Sequence, residues 1–434
     1  MTHNYVIVSL LLLLPLFVDI SHSQSTPDLC LPHDKNVLLR IKKHFGNPPS
    51  LSSWDPNTDC AGWNGIRCNI QGHVEVVLIT DADDIHGLIP PFLDQLPYLT
   101  ELYFDKLPNL SGPIPTYIGK LTNLTILTIS GTKIAGPIPE FLIKLTNLNQ
   151  LFLYSNKFTG TIPNFLSRLK KLMFLDLSSN LLTGPIPVAL SKLTNVKVLT
   201  LSSNKLSGHI PDFIGNQLKN LQVLELDFNS FSGTIPTSLG LLLNLQKISL
   251  AGNQLSGTIP KWMGRGNLNL IYLGQNKLTG DASFLFEKTN TNILSLEVAH
   301  NLLKFDFTKV DLAPSLLGMN ISHNMIYGSL PKRFGLLRPD SIDVSYNQLC
   351  GPIPNGRRFK RVPDIFAHNK KNGEKTWRRS EVRWWTCWWW CCWYGGGAGG
   401  GGAGGGGAAD GGSADGGSAG GGRKLLKLEE GLGK

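Results

Sequence analysis

One frame, Leu-x-x-Leu-x-Leu-x-x-Asn-x-Phe-x-Gly-x-Ile-Pro-x-x-Leu-x-x-Leu, fills residues 148–169 and returns along the chain. It restarts at Leu124, Leu172, Val196, Leu221, Leu245, Leu268, Ile293, Leu316 and, degraded, near Pro339, in steps of 23 to 25 residues. Looser copies precede it at Val74 and Leu99. Gly-x-Ile-Pro recurs within the frame, beginning at Gly87, Gly112, Gly136, Gly160, Gly184, Gly208, Gly233, Gly257 and Gly351. A unit this short cannot bury its own apolar edge. Each copy must stack on its neighbours, so the chain must fold as an array and not as a globule.

The physics of one copy is readable. Leu151 and Leu153 alternate with Phe152, the period of a strand, so the leucines face inward and Phe152 outward. Asn156 falls just past the strand, where its side chain can satisfy backbone groups at the bend. Asn180, Asn204, Asn229, Asn253, Asn276, Asn301, Asn324 and Asn347 repeat that place, predicting a buried polar ladder with a structural role. Gly160 permits the next turn, and Pro163 fixes φ where the outer segment begins. Leu166 and Leu169 then pack back onto the core. This is the pattern of a leucine-rich repeat. About twelve coils over residues 74–355 predict an α/β solenoid, a right-handed superhelix with a parallel β-sheet on its concave face.

Arrays need caps at their ends. Within residues 24–73, Asp34 is placed to N-cap a helix with Val37, Leu38, Ile41 and Phe45 on one face and Gly46 as its stop. Trp54, Trp63 and the bracketing Cys60 and Cys68 complete a disulfide-tied cap. Residues 356–369 form a partial C-terminal cap. Val6 to Val18 is an apolar run of 13 residues, short of the roughly 20 that span a bilayer. With Ser21 and Ser23 behind it, residues 1–23 read as a secretory signal peptide. Secretion allows disulfides, and glycosylation at the sequons of Asn109, Asn123 and Asn320. No later apolar run reaches membrane-spanning length, so a secreted monomer without a transmembrane segment is expected.

Composition divides the chain. Of its 47 glycines, 21 lie in residues 370–434, where Trp384–Tyr394 also packs six Trp and three Cys into 11 residues. A Gly tract cannot form a core. Residues 370–434 are read as a disordered tail or as a translation that has left the true frame. The cysteine count of 7 is odd, so at least one thiol stays outside any intramolecular bridge. No Gly-x-Ser-x-Gly, P-loop or His-Glu-x-x-His signature occurs, which argues against an enzyme and against a cofactor. His300 and His323 stand one coil apart, but two histidines without a third ligand make a poor zinc site, so no metal is expected.

The Gly-x-Ile-Pro form and the helix Asp-Lys-x-x-Leu-Leu-x-Ile-Lys at residues 34–42 resemble plant leucine-rich-repeat proteins. Three further segments resemble the polygalacturonase-inhibiting proteins, with the carrot-type leucine-rich-repeat antifreeze proteins as near kin. They are Gly280-Asp-Ala-Ser-Phe-Leu-Phe286, Phe305-Asp-Phe-Thr-Lys-Val310 and Asn324-Met-Ile-Tyr-Gly328. The resemblance covers roughly residues 28–369. It implies a cell-wall protein that docks fungal or insect polygalacturonase on its concave face in defence. Ice binding, or soluble receptor-like recognition, are the alternatives. The chain departs from the family in places. Ala61 follows Cys60 where a second cysteine is usual, leaving either Cys30–Cys60 or Cys60–Cys68 as the bridge. The family's Cys-rich C-cap is replaced after Lys370. Asp176 stands where an acid is common in the family, whereas Ser202 and Tyr272 stand where relatives can carry acids.

Strand parity names the outward positions as Tyr103, Asp105, Gln150, Phe152, Tyr154 and Phe174, then Asp176, Ser178, Glu225, Asp227, Lys247 and Tyr272. Phe152, Tyr154, Phe174 and Asp176 place exposed aromatics beside an acid, a good anchor for a protein partner. Glu225 and Asp227 make the sharpest acidic point. Lys332, Arg333, Arg338, Arg357, Arg358, Lys360 and Arg361 form a basic group suited to polyanionic pectin. Nucleic acid belongs to the wrong compartment.

Overall fold

The computed structural model describes residues 30–338, 341–353 and 363–369. The expected signal peptide, the tail from residue 370 and the basic residues Arg357, Arg358, Lys360 and Arg361 lie outside them.

One strand per coil, from Ile66–Cys68 to Ile342–Asp343, joins a 13-stranded sheet in chain order. The first pair is antiparallel, and the pairs that follow along the repeats are parallel. Parallel neighbours need a crossover, so each coil travels round an outer side before it returns. Shorter strands past each bend form further sheets of four, six and two strands. The outer segments are mostly single 3₁₀ turns, such as Asn164–Arg168 and Val188–Lys192, opened by extended prolines with φ of −75° at Pro163 and −72° at Pro187. Between the two sides lies one continuous core. Leu151, Leu153, Leu166 and Leu169 are fully buried in it.

The asparagine ladder forms as expected. Asn180 Nδ2 donates to the carbonyls of Leu153 (2.8 Å), Leu177 (3.1 Å) and Ser178 (3.0 Å), and its Oδ1 accepts from Phe158 N at 3.0 Å. One side chain thus binds its own bend and the coil before it. The ladder runs one coil past Asn347, to Asn369, whose Oδ1 accepts from Leu349 N at 3.0 Å. It begins at Thr132, whose hydroxyl donates to Asn156 Oδ1. The residue before each rung is left-handed: φ is 53° at Ser155, 54° at Ser179 and 52° at Phe228, with Gly131 and Gly252 in the same column. An L-residue pays about 1–2 kcal/mol for that conformation, and the rung's hydrogen bonds offset it.

The N-terminal cap differs from expectation at its first turn, and it settles which of the two open cysteine pairings forms. The helix runs Pro32–His44 with Leu31 as N-cap, so Asp34 is not the cap. Proline pre-sets φ for the first helical position, which places Asp34 inside the first turn. There it is buried, and its carboxylate accepts from Val74 N at 2.8 Å, tying the helix to the first coil. Val37, Leu38, Ile41 and Phe45 are buried as expected, and Gly46 ends the helix at φ 79°. The disulfide is Cys30–Cys60 and not Cys60–Cys68. Cys68 stays a buried thiol, 2.8 Å from Cys30 Sγ, and burial pushes its pKa up to about 12. Trp54 and Trp63 stack on each other in the same cap with ring centres 5.8 Å apart.

Candidate docking face of the large sheet

Because parallel strands pair in register, outward residues line up across coils. The middle column reads Tyr103, Thr128, Phe152, Asp176, Thr200, Glu225, Ser249, Tyr272, Glu297, Asn320 and Asp343, each paired with the next. Gln150, Phe174 and Lys247 belong to the column before it. Asp105, Tyr154, Ser178 and Asp227 belong to the column after. All twelve residues named by parity therefore share this one face.

They are less exposed than expected. Phe152, Tyr154, Phe174 and Asp176 are half-buried, while Lys247 and Tyr272 are only 8% and 9% exposed. The cause is cross-coil bonding. Asp105 Oδ1 accepts from Ser130 Oγ at 2.5 Å and from the Tyr154 hydroxyl at 3.0 Å, joining three coils. Tyr103 donates to Glu101 at 2.8 Å, which in turn meets Arg67 at 3.1 Å. Burial raises the Tyr154 phenol to about 12.

The pair Glu225 and Asp227 is not the open acidic point that spacing suggested. Glu225 is ion-paired with Lys247, whose ammonium lies 5.9 Å from the Tyr272 ring centre. Asp227 accepts from Ser202 Oγ at 2.7 Å, and burial raises its pKa. Ser202, which stands where relatives can carry an acid, thus serves a neighbouring acid instead. The less compensated acids are Asp176 and Glu297. Asp176 accepts from Ser178 N at 2.8 Å, and burial pushes it to about 6. Burial pushes Glu297 to about 7. Its carboxylate lies over Gly274, where a Cβ would come 2.2 Å from Oε1, so glycine makes room for it. Glu297 and Asp343 were missed although the parity that found Glu225 also reaches them.

Other expected sites fall elsewhere. Lys332 and Arg333 lie on the outer turn Lys332–Leu336. Arg333 and Arg338 border a cavity of about 160 Å³ with Leu312, Pro314 and Leu317. Asn109 opens a short side strand and is not in a loop. Asn123 belongs to a second, outer ladder that the sequence reading did not single out: Asn123 donates to Pro97 O, Asn147 to Thr122 O, Asn195 to Lys170 O and Asn220 to Thr194 O. The Asn that recurs in Leu-Thr-Asn at 121–123, 145–147 and 193–195, and in Leu-Lys-Asn at 218–220, was its signal. His300 and His323 stack at 3.9 Å, and the column continues through Tyr346 to His368 at 4.0 and 4.1 Å. Parallel rings aim their nitrogens alongside one another and not at a shared point. Among the described residues, the sulfurs of Cys30, Cys60 and Cys68 do converge, within 4.8 Å, but two of them are joined in the disulfide.

Comparison with known proteins agrees with this geometry. The family model "Leucine-rich repeat region" matches residues 84–276, and "Leucine rich repeat N-terminal domain" matches residues 31–69. Polygalacturonase inhibitor 2 of Arabidopsis thaliana is 47% identical over 346 residues, 79% of this chain and 90% of its own. Among solved structures, the ectodomain of the Arabidopsis receptor kinase HAESA, in complex with an N-terminally extended IDA peptide hormone, is 29% identical. It superposes at a TM-score of 0.67 over 74% of this chain and 58% of its own. A plant ice-binding protein is 34% identical over 78% of this chain and 94% of its own, at a TM-score of 0.48. With nearly half its residues shared across most of an inhibitor's length, the chain belongs to the polygalacturonase-inhibitor family of leucine-rich-repeat proteins and is not an enzyme.

Proposed function

We propose that this protein acts in the cell wall by docking a polygalacturonase on the outward face of its large sheet and inhibiting it. The observation that carries the reading is the group Phe152, Tyr154, Phe174 and Asp176. It puts three half-buried aromatics and one acid on adjacent, paired strands. Aromatics held rigid in this way lose little entropy on binding and make good anchors. The face as a whole is acidic. Glu101, Asp105, Asp176, Glu225, Asp227, Glu297 and Asp343 stand against Arg67 and Lys247, although the whole chain carries a formal charge of +10. The face therefore suits an enzyme with a basic surface around its cleft. Lys332, Arg333 and Arg338, on the outer side, give pectin a separate electrostatic contact that salt weakens.

The test is an inhibition panel of fungal and insect polygalacturonases with the purified chain. Inhibition of at least one enzyme, lost in a Phe152→Ala/Phe174→Ala variant that still folds, is the expected result. No inhibition across a broad panel overturns the reading.

Ice binding remains the second reading because of one feature. Over six consecutive coils the side sheets carry a hydroxyl at one repeating place: Thr159, Thr183, Ser207, Ser232, Ser256 and Thr279. The large sheet shows no such regularity. A recrystallisation assay on the same protein separates the two readings.

A further inference from the structure

We propose that Asn320 carries an N-linked glycan on the face of the large sheet, and that this glycan shields the last strands from any protein partner. The proposal rests on the docking reading for its consequence, but the modification itself does not depend on it.

The three sequons differ in what their amide nitrogen does. Asn109 Nδ2 donates to Asp83 O at 2.8 Å, and Asn123 Nδ2 donates to Pro97 O at 2.8 Å. Both nitrogens are engaged in bonds between coils. Asn320 is bound through its oxygen instead. Its Oδ1 accepts from Ser322 N at 3.1 Å and from Ser322 Oγ at 2.8 Å. Ser322 is the hydroxyl residue of the same sequon and is itself buried. Anchoring Oδ1 in this way turns Nδ2 away from the backbone, and among the described residues no bond holds that nitrogen.

The surroundings leave room for a sugar. In the column before Asn320 stand Ser295, Gly318 and Ser341, and in the column after it stand Ala299, Ser322 and Ser345. None of these side chains rises far above the sheet. Asn320 itself is outward and partly exposed, paired with Glu297 on one strand and Asp343 on the other.

The chemistry balances without an oxidant. A lipid-linked oligosaccharide pyrophosphate gives up its sugar–phosphate bond. The anomeric carbon bonds to Asn320 Nδ2, the amide loses one proton to solvent, and the pyrophosphate leaves with the lipid. The product is still a conjugated, planar amide with one N–H, and the Oδ1 bonds to Ser322 survive.

Neighbouring strands lie about 4.8 Å apart, so a sugar core at Asn320 covers the strands on both sides. Glu297 and Asp343 then lie beneath it. A partner is confined to strands earlier than Ser295–Glu297, the part that holds the aromatic group.

The test uses the full chain expressed in plant cells and purified from whole extract. Enzymatic glycan release in heavy-oxygen water marks occupied asparagines for peptide mass spectrometry. The expected result is a marked Asn320. Carbodiimide labelling of Asp343 and Glu297 is then compared before and after glycan release, and in Asn320→Gln. A several-fold rise on removing the glycan supports shielding. A bare Asn320 overturns the modification, and labelling that does not change overturns the shielding. Neither outcome depends on whether any polygalacturonase is inhibited.

Discussion

Asp176 and Glu297 show what a sheet face does to a carboxylate. Burial raises Asp176 to about 6 and Glu297 to about 7, above the ordinary range of unfolded acids. A raised acid favours the protonated form in the folded state. Its contribution to stability is complete below the unfolded pKa, near 4, and is lost as pH rises through the folded value. Asp176→Asn is therefore expected to stabilise the protein by about 1–2 kcal/mol near pH 8 and to leave it unchanged near pH 4. Urea unfolding at the two pH values checks this, and equal effects at both would contradict it. His323 has the opposite sign. Burial, then the adjacent His300, lowers its pKa, while Asp343 opposes and His368 adds to the lowering. Its contribution is complete above the unfolded value, near 6.5, and fades as pH falls below it. Once the slower intrinsic rate at low pH is divided out, the protection of amides in the coils around Tyr346 should fall on going to about pH 5. Replacing His323 with Phe keeps a flat ring in the stack and should remove that response. The position of Asp176 was plain from parity, the same parity reaches Glu297 although it was passed over, and His323 stood out by its place just before a ladder Asn. Their shifted acidity was not legible, because it depends on how closely neighbouring coils cover them.

The element that holds a coil in place is its asparagine rung. Asn253 Nδ2 donates to Leu226 O (3.0 Å), Leu250 O (3.1 Å) and Ala251 O (3.2 Å), and its Oδ1 accepts from Phe231 N (3.0 Å). Asn253→Ala leaves those backbone groups buried and unsatisfied, at an expected cost of about 3 kcal/mol or more. Asn244, on the outer ladder, donates to Lys219 O at 3.3 Å and is exposed. Asn244→Ala should cost well under about 1 kcal/mol. Thermal melts of the pair test the distinction between the ladders. Gly215 tests packing between outer turns: a Cβ there would lie 2.1 Å from Ser238 O and 2.6 Å from Leu239 N. Since backbone cannot give way as a side-chain tip does, Gly215→Ala should be clearly destabilising, by about 1–3 kcal/mol. The inner ladder was legible because each Asn follows a strand at fixed spacing. The outer ladder and the close approach at Gly215 were not singled out, because their partners lie 25 residues or so away, in the preceding coil for the ladder and in the following one for Gly215.

For the whole molecule, stacking makes the ends matter most, since a terminal coil has one neighbour only. The Cys30–Cys60 bridge closes 30 residues of the N-terminal cap. Its reduction should cost about 3 kcal/mol and release the cap before the central coils. Trp54, fully buried against Trp63, reports this directly through a red shift of fluorescence. A shift that appears only together with global unfolding would contradict end-first opening. The acidic face predicts that association with a basic partner slows as salt rises. Stopped-flow binding over a salt series measures it.

The repeat frame by itself determined the strand in each coil, the inward leucines, the inner ladder and the face on which outward residues gather. It could do so because every coil obeys the same local rule, and the alternation of a strand assigns each side chain a face. Tertiary contact decided the rest. It chose Cys60 as the partner of Cys30 and drew Asp34 off the helix cap onto Val74. It also spent Glu225 on Lys247 while leaving Glu297 over Gly274 with little compensation. Each of these depends on which side chain the neighbouring coil presents at close range, and a frame that treats every coil alike carries no record of that.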